Sequence, residues 1–108
     1  MKYTVTHYAN FGSYYVVVFE INGFYVYVII FKDEKNDFCP ATLSSPIKDF
    51  SVISERFELV PYSKSGQYGD LINALISVAE KKFISRIDEI EKEIDFYIEK
   101  EMSQLNMF

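Results

Sequence analysis

The sequence predicts an α+β fold: an N-terminal antiparallel β-meander of three to five strands, packed by a long C-terminal amphipathic helix. Three observations predict it. Asn22-Gly23 separates two runs rich in β-branched and aromatic residues, YYVVVFEI and FYVYVIIF. The upstream stretch KYTVTHY alternates polar and apolar residues. From Leu71 onward neither Gly nor Pro occurs, and apolar residues recur at threes and fours.

The hairpin comes first because Asn-Gly supplies the two positive-φ positions of a two-residue turn. That turn pairs Ile21 with Phe24 and Tyr15 with Ile30. One face then holds Tyr15, Val17, Phe19, Ile21, Phe24, Val26, Val28 and Ile30, and is core. The other holds Val16, Val18, Ile29 and Phe31 with Glu20 and the tyrosines Tyr14, Tyr25 and Tyr27. This second face is either covered by the middle segment or the long helix, or is an exposed aromatic patch of the kind that favours protein interfaces. Lys2 to Tyr8 reads as a third strand, joined by the short ANFGS loop, and strict alternation sets His7 on the face of Tyr3 and Val5.

The middle, Lys32 to Ser65, is less regular. KDEKND is a charged turn, and the prolines of CPATLSSP exclude a central strand or a helix interior. Ser45-Pro46 opens a short helix with Ile47, Phe50, Ile53 or Ser54, and Phe57 at helical spacing, followed by a strand near Arg56 to Tyr62; the alternative is that FSVIS or RFELVPY supplies a fourth strand. SKSGQYGD is a loop with Gly66 and Gly69 as turn residues, and Asp70 is the expected N-cap. Ile72, Leu75, Ile76, Ala79 and Phe83 then form a broad apolar face for the sheet. Ile87, Ile90, Ile94 and Tyr97 or Ile98 continue as a narrower, heptad-like seam suited to pairing with a second copy. The chain is thus one domain, 1–108, with a β-rich body over 1–65 and an acidic helix over 70–105. Thirty-five helical residues span roughly 50 Å, against a domain diameter of about 35 Å. The helix must break near FISRI or reach past its own body.

Composition bounds the function. Apolar residues are 49% and charged residues 25% of 108, ordinary for a folded domain, while aromatics reach 18%. One cysteine, Cys39, cannot form an internal disulfide, which points to a reducing, cytoplasmic location together with a start that shows no apolar signal region. The longest apolar run, Phe24 to Phe31, is too short to span a membrane. Net charge is −5. DEIEKEIDFYIEKE, Asp88 to Glu101, carries seven acids and two bases, so the rest of the chain is neutral. With no basic stripe, direct nucleic-acid binding is not expected.

No motif announces catalysis: His7 has no evident nucleophile or carboxylate partner, and Cys39 reads as a small apolar filler in a loop. SKSGQYGD lacks phosphate-loop spacing, and the acids come with no EF-hand loop or histidine cluster. No catalytic residue, metal or cofactor is therefore expected. The acidic segment is the feature that calls for a reason. Like charges fall at i,i+4 in Glu89/Glu93, Glu91/Asp95 and Asp95/Glu99, each destabilising by roughly 0.2–0.5 kcal/mol. Either the acids serve solubility, or they meet a cationic partner. A carboxylate every ~3 Å of helix approaches the 3.4 Å rise of one DNA strand. The expected function is a non-enzymatic protein-binding module, with Asp88, Glu89, Glu91, Glu93, Asp95, Glu99 and Glu101 and the tyrosines 14, 25 and 27 as its partner surface. The alternative is a structural module that homodimerises along the isoleucine seam. In size, acidity and α+β outline, though in no residue motif, the chain resembles the small acidic inhibitors encoded by phages, such as anti-CRISPR proteins and the uracil-DNA glycosylase inhibitor. That resemblance implies occupation of the nucleic-acid groove of a DNA- or RNA-handling enzyme.

Overall fold

Residues 2–105 are described by a computed structural model. Strands β1 (Tyr3–Asn10), β2 (Tyr15–Ile21), β3 (Phe24–Lys32), β4 (Phe38–Leu43) and β5 (Val60–Pro61) form one antiparallel sheet in the spatial order β4-β3-β2-β1-β5. A one-turn helix α1 (Ser51–Ser54) lies between β4 and β5, and helices α2 (Asp70–Ser85) and α3 (Ile87–Leu105) follow. The arrangement is α+β, as the sequence predicts.

The β2–β3 hairpin has the predicted register, from Ile21↔Phe24 to Tyr15↔Ile30. Asn22 and Gly23 take φ of 52° and 80°, the left-handed pair that matches the twist of the strands. The Glu20 carboxylate accepts from the Gly23 amide at 2.9 Å and braces the turn. The apolar face of the hairpin is fully buried and carries the main core: Phe83 of α2 stacks on Phe19 at 4.3 Å, and Ile90 and Ile94 of α3 close it.

β1 departs from strict alternation. Its pairing with β2 shifts register between Val5 and His7, a bulge that leaves Thr6 as the extra residue. Tyr3 and Val5 therefore pack on the α2 side, whereas His7 crosses to the other face and stacks on Phe50 at 4.7 Å. Placing His7 with Tyr3 and Val5 is corrected by that single inserted residue.

The middle segment supplies more strand than expected. β4 contains Pro40, and the proline is tolerated because β4 is the sheet's edge, beside a register shift at Ile29/Ile30. Beyond it the chain crosses the second face. Ile47 bridges Tyr25 by two backbone hydrogen bonds of 2.7 and 2.8 Å, and Ile53 and Phe57 are buried against Val16, Val18 and Ala9. A short helix and a short strand follow in the expected order, but the helix does not open at Ser45-Pro46: Ile47 is extended chain bridged to Tyr25, the helical turn is confined to Ser51–Ser54, and β5 is only two residues long.

The terminal helix is broken. Arg86 leaves helical geometry at φ −119°, ψ 11°, within the FISRI stretch. Neither Gly nor Pro marks the site, and Phe83 and Ile90 are buried on either side of it; tertiary packing sets the break, not a local breaker. Gly69, not Asp70, is the N-cap of α2. Asp70 is its first residue, where its charge still complements the helix N-terminus. The longest dimension is 55 Å and the radius of gyration 15.2 Å, against about 13 Å for a compact chain of this length.

Candidate functional site

The acidic segment is helical throughout as the first four turns of α3. Ile90 and Ile94 anchor it to the sheet, so the outward directions of its charges are fixed by 3.6-residue periodicity. Asp88, Glu91, Asp95 and Glu99 fall within an arc of about 80° on one flank. Glu89 and Glu93 lie on the opposite flank. Asp88, Asp95 and Glu99 are exposed and Glu91 is half-buried.

Among the described residues, two of the seven carboxylates are matched within the molecule. Glu89 meets Arg86 at 3.0 Å, and Glu101 meets Lys48 at 2.7 Å. Among the described residues no lysine, arginine or histidine comes within ion-pair distance of Asp88, Glu91, Glu93, Asp95 or Glu99; the Asp88/Lys92 and Glu89/Lys92 pairings permitted by spacing are not made. Arg86 could have been found from its place three residues before Glu89. Lys48 could not, since only the fold brings it to Glu101.

Division into two lines also changes the spacing. Along the Asp88–Glu99 line one carboxylate recurs about every 5–6 Å, wider than the 3.4 Å phosphate rise. The line therefore does not reproduce the phosphate spacing of a DNA strand. At its far end this line borders Ile98, 39% exposed, and Met102, 58% exposed, two apolar side chains beside the acids.

The proposed dimer seam is largely consumed. Ile90 and Ile94 belong to the chain's own core, and Ile87 packs against it, because the broken helix turns this stripe onto the sheet. Tyr97 stacks on Phe24 at 6.2 Å, and of the five seam residues only Tyr97 and Ile98 remain substantially exposed. The tyrosine patch is corrected in the same way. Tyr14, Tyr25 and Tyr27 are half-buried around the smaller core: Tyr14 stacks on Phe11 at 4.8 Å, Tyr25 lies 5.0 Å from Phe50, and Tyr27 lies 5.4 Å from Phe57. The Tyr27 hydroxyl accepts from Arg56 at 3.2 Å. Val16 and Val18 beneath them require an apolar cover, and residues 47–59 supply it.

The remaining chemical groups stand apart from α3. His7 Nδ1 is buried without a hydrogen-bond partner, and burial holds the imidazole below its ordinary pKa. Cys39 is exposed on β4, not a filler. Slight desolvation and the Asp33 and Asp37 carboxylates hold its thiol above the usual value, which disfavours the nucleophilic thiolate. In the loop before α2, Gly66 lies under the Tyr68 ring, where a Cβ would sit 2.7 Å from a ring carbon. Among the described residues no three His, Cys, Asp or Glu side chains are grouped to hold a metal, and no helix is long and apolar enough to cross a membrane. No protein-family model matches the chain, and no curated protein or solved structure is significantly similar to it.

Proposed function

We propose that this protein is a non-enzymatic binding module that presents the outer flank of α3 to a basic groove on another protein. The observation that carries the reading is the line Asp88, Glu91, Asp95, Glu99: four carboxylates aligned on a docked helix, with no cation among the described residues engaged to them. A preorganised anionic line steers a cationic partner and needs no rearrangement to meet it. Ile98 and Met102 at its end supply the apolar contact that a purely electrostatic surface lacks. The specific form is an inhibitor that occupies the nucleic-acid groove of a DNA- or RNA-handling enzyme, active in the cytoplasm and without a cofactor.

The test is competition. Purified basic nucleases and polymerases, loaded with fluorescent duplex, are titrated with the protein at several salt concentrations. Duplex release that weakens steeply with salt, and that is lost in Glu91→Lys and Asp95→Lys, is the expected result. Release unaffected by both variants, or none from any enzyme tried, refutes the reading. The second reading, self-pairing through α3, retains Tyr97, Ile98, Met102 and the 63% exposed Phe96 as its contact residues. Light scattering separates the two: a dimer indifferent to Glu91→Lys and Asp95→Lys but lost in Ile98→Asp belongs to self-pairing.

A further inference from the structure

The strand position beside β1 is only half filled. β5 pairs with β1 at His7 and Tyr8, and the Tyr62 amide still donates to the Thr6 carbonyl at 2.9 Å. The chain then peels away, with the Ser63 amide donating to the Tyr68 hydroxyl at 2.8 Å. Tyr3, Thr4 and Val5 consequently have β2 on one side and, among the described residues, no strand on the other. Backbone groups alternate in direction along an antiparallel strand. Ile21 and Phe24 close the two-residue hairpin, so the Ile21 amide and carbonyl point to β3, and those of Glu20 point to β1, where Thr4 is its partner. It follows that the N–H and C=O groups of Tyr3 and Val5 point away from β2.

They point into a cleft of about 520 Å³, bounded by the strand edge, residues 62–64 and α2. Two side chains of α2 line it one turn apart, Ile76 and Glu80. On β1 the two residues beside them are Val5 and Tyr3, also one step apart on the same face. The Tyr3 hydroxyl donates to Glu80 Oε1 at 3.1 Å, and no lysine or arginine among the described residues pairs with that carboxylate. Lys64 lines the cleft without reaching it.

We propose that this cleft receives an extended peptide segment of a partner protein, which continues the place of β5 by pairing antiparallel with Tyr3 and Val5. The unpaired backbone groups specify a strand, and the side chains beside them specify its sequence. An apolar residue opposite Val5 packs on the half-buried Val5 at the apolar end of the cleft, beside Ile76, and a lysine or arginine two positions later, opposite Tyr3, meets Glu80. The segment is thus apolar–x–basic. A second copy of this chain is a poorer occupant: paired about Thr4, it would set Val5 opposite Tyr3 and offer Glu80 no cation. This surface is separate from α3, and the inference stands or falls independently of the acidic line.

The test uses the full chain, labelled with ¹⁵N, and the capped hexapeptide Thr-Val-Thr-Lys-Thr-Thr as probe. Saturable amide shifts centred on Tyr3, Val5, Ile76 and Glu80 are expected. Replacing the probe's lysine by glutamate weakens binding about fivefold, the worth of one partly exposed ion pair. Val5→Pro removes an N–H that β2 does not use and abolishes binding. Glu80→Lys reverses the preference between the two probes, which decides the matter should Val5→Pro fail to fold. Shifts elsewhere, no shifts, equal affinity for both probes in the wild type and Glu80→Lys, or unimpaired binding by a folded Val5→Pro overturns the proposal. So does movement of the Tyr3 and Val5 amides with protein concentration alone, which makes the occupant a second copy.

Discussion

Truncation of Ile94 tests whether α3 is part of the folded body or a free pairing surface. Ile94 is fully buried against the sheet, whereas Ile98, one turn later, is 39% exposed. Ile94→Ala removes three carbons, about 2.5 kcal/mol of transfer free energy at ~0.8 kcal/mol per methylene. The residual cavity adds on the order of 1 kcal/mol, which brings the total to about 3–4 kcal/mol. Ile98→Ala, at a site open to water, costs about 1 kcal/mol. In urea, with a slope of about 1.5 kcal/mol per molar for a chain of this size, Ile94→Ala lowers the midpoint by about 2–2.5 M and Ile98→Ala by about 0.7 M. Circular dichroism during urea titration, repeated at two protein concentrations tenfold apart, measures both. A helix docked within the monomer gives unequal losses that do not depend on concentration. Equal losses, or a wild-type midpoint that rises with concentration, would refute the assignment of Ile94 to the chain's own core.

Three further outcomes follow from the geometry. Burial holds the His7 imidazole below its ordinary pKa, so from about pH 6.5 downward the unfolded chain binds a proton that the folded chain does not. The stability contributed is full above that pH and is lost as pH falls through the folded value; His7→Phe, which keeps the ring on Phe50, flattens this part of the pH profile of the urea midpoint. Gly23→Ala meets no atom within 4 Å but is forced to φ 80°, and costs about 1–2 kcal/mol through strain alone, without change in the hairpin's NMR pairing pattern. Glu101→Ala breaks a pair whose side chains are 63% and 52% exposed, and shifts the thermal midpoint by no more than the equivalent of about 1 kcal/mol.

What could be read from the sequence was whatever had a local cause. Asn22-Gly23 dictates a turn whatever surrounds it, and the turn dictates the register of fourteen strand residues. What could not be read was decided by packing at a distance. The bulge at Thr6 has no compositional mark and reverses the face of His7. Pro40 correctly excluded a central strand, but an edge strand is permitted, and only the fold makes Phe38–Leu43 an edge. The isoleucine seam is the instructive case, since the same spacing serves a partner helix or the protein's own sheet. A break at Arg86, invisible in residue type, turned it inward. Of the candidate site, the acids were legible as a cluster. Their division into two flanks, and the engagement of Glu89 and Glu101 within the molecule, required coordinates.

The placement of those acids separates a solubilising role from a binding one. A net charge of −5 keeps a small domain soluble wherever the charges lie. Gathering them on α3 creates the pairs Glu89/Glu93, Glu91/Asp95 and Asp95/Glu99, which destabilise it by about 1 kcal/mol, partly offset by Asp88 and Glu89 in the first turn, where the helix dipole favours acids. Burial of Ile90 and Ile94 offsets this with about 1.5–3 kcal/mol each, so the fold withstands the clustering without requiring it. Asp95 sits in two of the three pairs. Asp95→Lys turns both into attractions and should raise stability by about 0.5–1 kcal/mol, read as a higher urea midpoint whose gain fades at high salt. If the line is a binding surface, the same variant is the more stable protein and the weaker binder, and lost binding cannot be ascribed to lost fold. A less stable Asp95→Lys would show that the carboxylate meets a cation of the molecule itself; an equally good binder would show that the aligned charges face only water.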